Sequence, residues 1–354
     1  FPAWPRADRR ARLQAALLEW FQTAKRDLPW RRSRDSYGIW ISEAMLQQTR
    51  VSTVIDYWVA FMAAFPTVEA LAEANEQQVL ACWSGLGYYS RARSLHSAAR
   101  SIVDDHAGEF PRERSEALAL PGVGEYTAGA VLSIAHGLPE ALVDGNVERV
   151  LTRVFGLRAA AGSPALRKHT WELARRFLVE DEAGDWNQAL MELGALVCTP
   201  GEPNCGDCPW ARMCVARKRG EAAAWPSPKP RRKAVSLMVT GLWSVDAGKI
   251  LLFERPSGGP MAGLWELPSK QEATPGARSI WPGEWAKGLA APDQDPLFAT
   301  KHAITHHRIT MTVFEGSGGR GARTPAGHRW FAWSELEGAG LTGLARKAVA
   351  HLQP

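Results

Sequence analysis

Gly38-Ile39-Trp40-Ile41-Ser42-Glu43-Ala44-Met45-Leu46-Gln47-Gln48-Thr49 is the stretch on which the reading of the fold turns. Apolar side chains at Trp40, Ala44, Val51, Val54, Ile55, Trp58, Phe61 and Met62 recur at helical spacing, so the pattern predicts a long amphipathic helix opening here. Glu43 then falls in its first turn, among apolar residues. An acid near a helix N-terminus offsets the positive end of the macrodipole, and that is one reading of it. The other is a carboxyl group in a partly dry pocket, where desolvation favours the protonated form and suits it to donate a proton.

Working outward, 354 residues are enough for roughly two or three domains with ample core. Lys plus Arg is 42 against 37 for Asp plus Glu, a balance of +5 that permits an anionic partner without establishing one. The 16 Trp are many; most belong to cores, and some suit a pocket for planar groups. No apolar run is long enough to cross a membrane, and Phe1-Pro2-Ala3-Trp4-Pro5 does not read as a signal peptide. The five cysteines do not pair off and four crowd together, which points to a reduced, intracellular compartment.

Ala7 to Lys25 reads as a helix with Leu13, Ala16, Leu17, Trp20 and Phe21 on one face, broken at Asp27-Leu28-Pro29-Trp30-Arg31-Arg32. From Ile39 to about Leu157 helices follow one another across short Gly/Pro breaks, the signature of an α-helical domain. Within it, Trp83-Ser84-Gly85-Leu86-Gly87-Tyr88-Tyr89-Ser90-Arg91 is a turn entering a basic helix. Its aromatic rings either stack on bases or are simply buried. Leu120-Pro121-Gly122-Val123-Gly124-Glu125-Tyr126-Thr127-Ala128 lies between two helices. Gly122 and Gly124 allow a tight turn whose backbone N–H groups suit a phosphate. In Val143-Asp144-Gly145-Asn146-Val147, Asp144 precedes the stripe Val147, Val150, Leu151, Val154, Phe155 and is a candidate N-cap. Capping N–H groups would also keep such a carboxylate ionised and aimed at developing positive charge.

Cys198, Cys205, Cys208 and Cys214 leave gaps of six, two and five residues. Four thiolates so close suit a 4Fe-4S cluster. Zinc competes, but its ribbons usually carry two Cys-x-x-Cys clips and only one is present. Arg212, Arg217, Lys218 and Arg219 give that loop a basic edge that could meet phosphates, and Cys82 reads as a small buried residue. Ala222 to Lys233 is a stiff basic linker. Beyond it Val235–Trp243, Ile250–Phe253, Ile309–Phe314 and Arg329–Trp333 read as strands and Leu341–Leu352 as a closing helix, a separate α+β domain.

The Glu43 stretch, the Gly-Leu-Gly-Tyr-Tyr turn, the Leu-Pro-Gly-Val-Gly hairpin, Val-Asp-Gly-Asn-Val and the four cysteines occur in an order that resembles the MutY family of adenine DNA glycosylases, over nearly the whole chain. The resemblance implies a mainly α helix-hairpin-helix glycosylase with an iron–sulfur loop, followed by a Nudix-like α+β domain. The implied divisions are an N-terminal helix at 1–28 packing with the cluster domain, a six-helix barrel at 29–140, the cluster domain at 141–220, a linker at 221–234 and the Nudix-like domain at 235–354.

By the same resemblance, the substrate is adenine mispaired with 8-oxoguanine or guanine in double-stranded DNA, and the enzyme is a monomer with a 4Fe-4S cluster on Cys198, Cys205, Cys208 and Cys214. Glu43 would protonate the base on its five-membered ring and Asp144 would stabilise an oxocarbenium-like sugar, with Tyr126 and Asn146 beside them. Trp30, Arg31 and Gln188 fall where the family builds its adenine pocket. Gln48 and Tyr88 match its wedge into the duplex, and Gly122, Val123 and Gly124 its DNA-binding hairpin.

Where endonuclease III, the sister family, has a lysine that forms a Schiff base, this chain has Tyr126, which implies a glycosylase without lyase activity. The family's Phe-Ser-His loop, which reads 8-oxoguanine, aligns with Ile304-Thr305-His306; Thr305 and His306 keep the hydroxyl and the ring, and Ile304 loses the aromatic. Gly263-Leu264-Trp265-Glu266-Leu267-Pro268 echoes a Nudix strand, but 269–290 lacks the acidic run that would hold magnesium. Two alternatives stand beside this reading: an endonuclease III-like lyase for oxidised pyrimidines, and a non-catalytic iron–sulfur DNA-binding protein.

Overall fold

The computed structural model describes residues 7–228, 233–256, 259, 261–272, 295–316 and 324–353. The chain packs as two compact units, Phe1–Val59 with Thr67–Glu69 and Ala98–Pro230, and Ala60–Pro66 with Ala70–Ser97 and Arg231–Pro354. In chain order the helices are α1 (Ala7–Ala24), α2 (Ser36–Leu46), α3 (Val51–Ala64), α4 (Val68–Glu73), α5 (Glu76–Trp83) and α6 (Ser90–His106). They continue as α7 (Arg114–Ala119), α8 (Glu125–Ile134), α9 (Gly145–Phe155), α10 (Pro164–Phe177), α11 (Ala183–Leu196) and α12 (Val215–Lys218). Strands β1 (Val235–Trp243), β2 (Val245–Asp246), β3 (Lys249–Glu254), β4 (Trp265–Glu266), β5 (Ser269–Gln271), β6 (Phe298–Ile304), β7 (His307–Glu315) and β8 (His328–Ala332) follow, and α13 (Gly343–Leu352) closes the chain.

The first unit is built around α11, which packs against α1, α8 and α9. The stripe expected on α9 is buried throughout, and it meets Leu13, Leu17 and Phe21 of α1 and Trp186, Leu190 and Leu193 of α11 in one core. Helix α8 is buried from Thr127 to Ser133 because Gly129 carries no side chain. A Cβ there would lie 2.3 Å from the Ala141 carbonyl oxygen, so the chain leading to Asp144 runs directly against α8.

Two expectations are corrected here. The run from Trp40 to Met62 is two helices, α2 and α3. Gln48 between them adopts a left-handed φ of 59°, and the Arg50 carbonyl starts α3 by accepting from Thr53 N and Val54 N. Helix α2 also begins earlier than its apolar pattern suggested, because the Asp35 side chain caps it at Tyr37 N and Gly38 N. Glu43 therefore sits in the third turn rather than the first, and Tyr37 through Met45 are buried on every side. The macrodipole reading of Glu43 falls with that.

The linker is corrected at its start. Residues 221–228 pack on the first unit: the Trp225 carbonyl accepts from Arg153 Nε at 2.8 Å, the Trp225 ring lies under Arg158 and Arg219, and Ser227 bridges Ala160. Residues 229–232 lie outside the described residues, as do 273–290 of the stretch read as lacking a magnesium-binding run, and Phe1–Pro5.

In the second unit one sheet has the order β5-β1-β7-β6, with β1 and β7 parallel from Val235↔His307 to Trp243↔Glu315. The other joins β2, β3 and β4, with β8 on β3. Period-2 alternation along β7 turns Ile309, Met311 and Val313 into a core shared with Leu237 and Val239 of β1, Ile250 and Leu252 of β3, and Leu344, Ala345 and Ala348 of α13. Strands β6 and β7 form a hairpin in which Ile304 pairs with His307, so Thr305 and His306 are its two-residue tip. The fold is the expected one, helical first and α+β second. Among the described residues no helix is long and apolar enough to cross a membrane.

Candidate active site

Seven residues singled out in the sequence line a single cavity of about 150 Å³: Trp30, Arg31, Glu43, Tyr126, Asp144, Asn146 and Gln188. Five separate elements deliver them, namely the 3-10 turn Pro29–Arg31, α2, α8, the start of α9 and α11. Glu43 is 4% exposed and receives a hydrogen bond from the Tyr126 hydroxyl. Burial pushes its carboxyl up to about 7; the Tyr126 bond and the Arg31 charge pull the other way, and Asp144 adds to the rise. The same burial raises the Tyr126 phenol well above its ordinary range. Its oxygen also lies 3.3 Å from Met191 Sδ.

Asp144 is the N-cap of α9: Oδ1 accepts from Val147 N at 2.7 Å and Oδ2 from Asn146 Nδ2 at 2.8 Å. Burial is the stronger influence and raises its carboxyl above the ordinary value, with these bonds and Arg149 opposing the rise. The sequence expectation considered only the capping bonds; desolvation outweighs them in direction. The two carboxyl groups still differ in kind, since Glu43 is held by a phenol and Asp144 by a backbone N–H and an amide. Asn146 is itself held: Arg149 Nη2 donates to its Oδ1 at 2.8 Å and to the Gly194 carbonyl at 2.8 Å. Helix α11 comes so close that a Cβ on Gly194 would lie 2.5 Å from Asn146 Cβ.

Glu192, Arg26, Met191 and Arg149 escaped the sequence reading. Glu192 is the most visible in retrospect, a lone acid in the run Ala189-Leu190-Met191-Glu192-Leu193, one turn after Gln188. Gln188 donates its Nε2 to the Gly184 carbonyl at 3.3 Å.

Other candidates lie elsewhere. Gln48 is exposed at the α2–α3 break. Gly122 takes a left-handed φ of 76°, Val123 is buried beneath the turn, and Gly124 caps α8. Tyr88 is 47% exposed while Tyr89 is buried, so the two tyrosines of that turn divide the two readings between them. Arg91 packs under the Tyr88 ring, 5.5 Å from its centroid. At the β6–β7 tip Thr305 Oγ1 lies 3.3 Å from His306 Nδ1, and the His306 and His307 rings are 4.1 Å apart.

All four expected cluster ligands, Cys198, Cys205, Cys208 and Cys214, are free thiols lining one pocket with Val150, Val154, Leu193 and Val197. Arg153 Nη1 approaches Cys198 Sγ at 3.4 Å, and Arg149 Nε donates to the Cys198 carbonyl at 2.7 Å. Burial, reinforced by the other three cysteines, pushes the Cys208 thiol up to about 12. Among the described residues no three His, Cys, Asp or Glu side chains gather as a site for a single ion.

Comparison with known proteins joins these observations. The profile of the HhH-GPD superfamily base excision DNA repair proteins matches residues 41–176, and that of the NUDIX domain matches 239–351. The adenine DNA glycosylase of Rattus norvegicus is 36% identical over 94% of this chain and 76% of its own length. That of Schizosaccharomyces pombe is 32% identical over 95% and 88%. A thermostable thymine-DNA glycosylase superposes with a TM-score of 0.55 at 30% identity, covering 60% of this chain and 98% of its own. An endonuclease III trapped on DNA shares the fold at a TM-score of 0.51 and 24% identity, over 60% of this chain and 98% of its own. The chain belongs to the adenine DNA glycosylase family: it is a DNA glycosylase of base-excision repair, with a helix-hairpin-helix part and a Nudix part.

Proposed function

We propose that the enzyme hydrolyses the N-glycosidic bond of adenine mispaired with 8-oxoguanine or guanine, acting as a monomer on a base flipped out of duplex DNA. The observation that carries this is the shared cavity: Glu43, buried and poised near neutrality, stands with a hydrogen-bonded Asp144 among Trp30, Arg31 and Gln188. Extruding a base costs on the order of a few kcal/mol, least at a mispair. Gln48 and exposed Tyr88 are each suited to enter the duplex beside the flipped base, and the Gly122–Gly124 turn offers backbone N–H groups to phosphate.

In the cavity Trp30 faces the planar base, and Arg31 and Gln188 address its polar edge. Glu43 gives its proton to the five-membered ring as the bond from sugar carbon to base nitrogen breaks, so the bonding pair leaves with a neutral base. Asp144, kept in place by Val147 N and Asn146, faces the oxocarbenium-like sugar. Water adds to the sugar carbon and returns a proton to Glu43. Tyr126 offers no amine for a Schiff base, so the product is an abasic site in an unbroken strand. Thr305 and His306 at the hairpin tip read the 8-oxoguanine.

The donor set fits a 4Fe-4S cluster: four cysteine sulfurs ring one apolar pocket beside Arg153, and the Cys208 thiol, pushed up by burial and by its three cysteine neighbours, would be held as a thiolate by a positive centre among them. Bound there through Cys198, Cys205, Cys208 and Cys214, it would fix the loop that carries the basic edge Arg212, Arg217, Lys218 and Arg219 toward DNA.

The test is a duplex with adenine opposite 8-oxoguanine, guanine or thymine. Strand breaks should appear only after alkali, fastest opposite 8-oxoguanine, and Glu43→Gln should slow them at least about a hundred-fold while the mispair stays bound. Breaks without alkali, or at an oxidised pyrimidine instead, would overturn the reading.

A further inference from the structure

Glu192 lines the same cavity as Glu43 but takes no part in the steps above. Its side chain is 1% exposed, in the midst of the apolar face of α11. Arg26 binds it three times, through the backbone N at 3.0 Å, Nε at 2.8 Å and Nη2 at 2.7 Å. Arg31 adds Nη1 at 3.2 Å and Nη2 at 3.0 Å. Burial alone would raise this carboxyl; the bonds from Arg26 and Arg31 reverse that and hold it at about 2. A buried acid so fully paired is ionised, and its removal leaves the Arg26 and Arg31 guanidinium groups without the carboxylate that pairs them.

We propose that Glu192 is a positioning residue of the base-binding cavity: its carboxylate pins Arg31 to the wall and offsets the paired arginine charge beside Glu43. The groups that face Glu43 are Tyr126 from α8, Asp144 from the start of α9 and Arg31 from the 3-10 turn. Asp144 and burial favour a protonated Glu43, whereas Tyr126 and Arg31 favour the ionised form. Arg31 is thus the cation that must orient a base without drawing the proton from the acid that attacks it. Glu192 and Arg26 reconcile the two demands, because the trio carries one net positive charge rather than two. Nothing in the five-membered-ring protonation requires Glu192 itself to touch substrate.

This rests on the reading of Glu43 as the acid, so the first readout is independent of base release. The Glu43 carboxyl is titrated by infrared difference between each protein and its Glu43→Gln counterpart, in the free enzyme. In Glu192→Gln the midpoint falls by roughly one pH unit, and Glu192→Asp, which keeps the charge, leaves it in place. Single-turnover base release at pH 8 falls about tenfold in Glu192→Gln, and the loss disappears toward pH 5. An unmoved midpoint in a folded Glu192→Gln overturns the proposal. So does the same loss at every pH in both variants, which marks a purely structural role. Arg31→Gln moves the midpoint the other way, upward, and the absence of that rise overturns the proposal even where Glu192→Gln does not fold. A midpoint that falls in an enzyme releasing no adenine leaves Glu192 as inferred and removes the proposed substrate instead.

Discussion

A single carboxyl group can be placed for chemistry at the expense of the fold that holds it. Among the described residues Glu43 has no ion-pair partner to compensate for its burial; its hydrogen bond is to a phenol, and its carboxyl stands at about 7 against an ordinary 4.5. Between those two values the folded protein keeps a proton that the unfolded chain releases. The unfolded state therefore binds fewer protons, and stability falls as pH rises through the window. The loss is on the order of 3 kcal/mol, complete above pH 7 and absent below about pH 4.5. Glu43→Gln keeps the shape and removes the titration. Denaturant unfolding should find this variant more stable than wild type at pH 8, with the gap closing at pH 5. A wild type as stable at pH 8 as the variant would show that Glu43 is not desolvated as described. On the role proposed for Glu43, activity and stability are set against each other at one side chain.

At the scale of elements, α9 and α11 do for the site what their apolar faces do for the core. The α9 stripe sets the helix against α11, and the same docking leaves Asp144 at the helix start with its side chain turned to the cavity. The cap and the charge role proposed for Asp144 are separable. Asp144→Asn retains an oxygen for Val147 N and should unfold at nearly the wild-type denaturant concentration, whereas Asp144→Ala loses the cap and about 1 kcal/mol. Both should lose base release. If Asp144→Asn turns over normally, the charge has no part in the reaction.

The stripe and the cap were legible because both are local: Val147, Val150, Leu151, Val154 and Phe155 keep one period, and the acid precedes them. The alternation of β7 was legible for the same reason. The break at Gln47–Arg50 was not, since the apolar period runs across it and only a left-handed residue and a carbonyl mark the restart. The Asp35 cap was overlooked behind the Gly38 that follows it. Glu192 was hidden by distance in sequence: its partners Arg26 and Arg31 lie more than 160 residues upstream, and α1 and the 3-10 turn meet α11 only in the folded chain. The balance at Asp144 likewise depends on burial, which no spacing reveals.

Over the whole molecule, the cysteine loop closes the first unit across its longest separations. Trp210 Nε1 donates to the Leu13 carbonyl at 2.8 Å, and Arg9 Nη2 to the Met213 carbonyl at 2.9 Å, so α1 docks on residues that stand between Cys208 and Cys214. From the other side Arg149 and Arg153 tie Cys198 and Thr199 to α9. A group bound by the four thiols would hold both attachments at once, and metal binding of that kind contributes directly to folding. Cys208→Ser should therefore lower bound iron and loosen the molecule unevenly. Hydrogen exchange should speed at Leu13 and Leu17 of α1 and around Trp210, because their partners no longer stand still. The amides of β1 and β7, paired to one another in the second unit, should keep their protection. Uniform loss across both units would mean that the thiols support the chain globally. Unchanged exchange at Leu13 would mean that α1 stays docked without them, on Leu13, Leu17 and Phe21 alone.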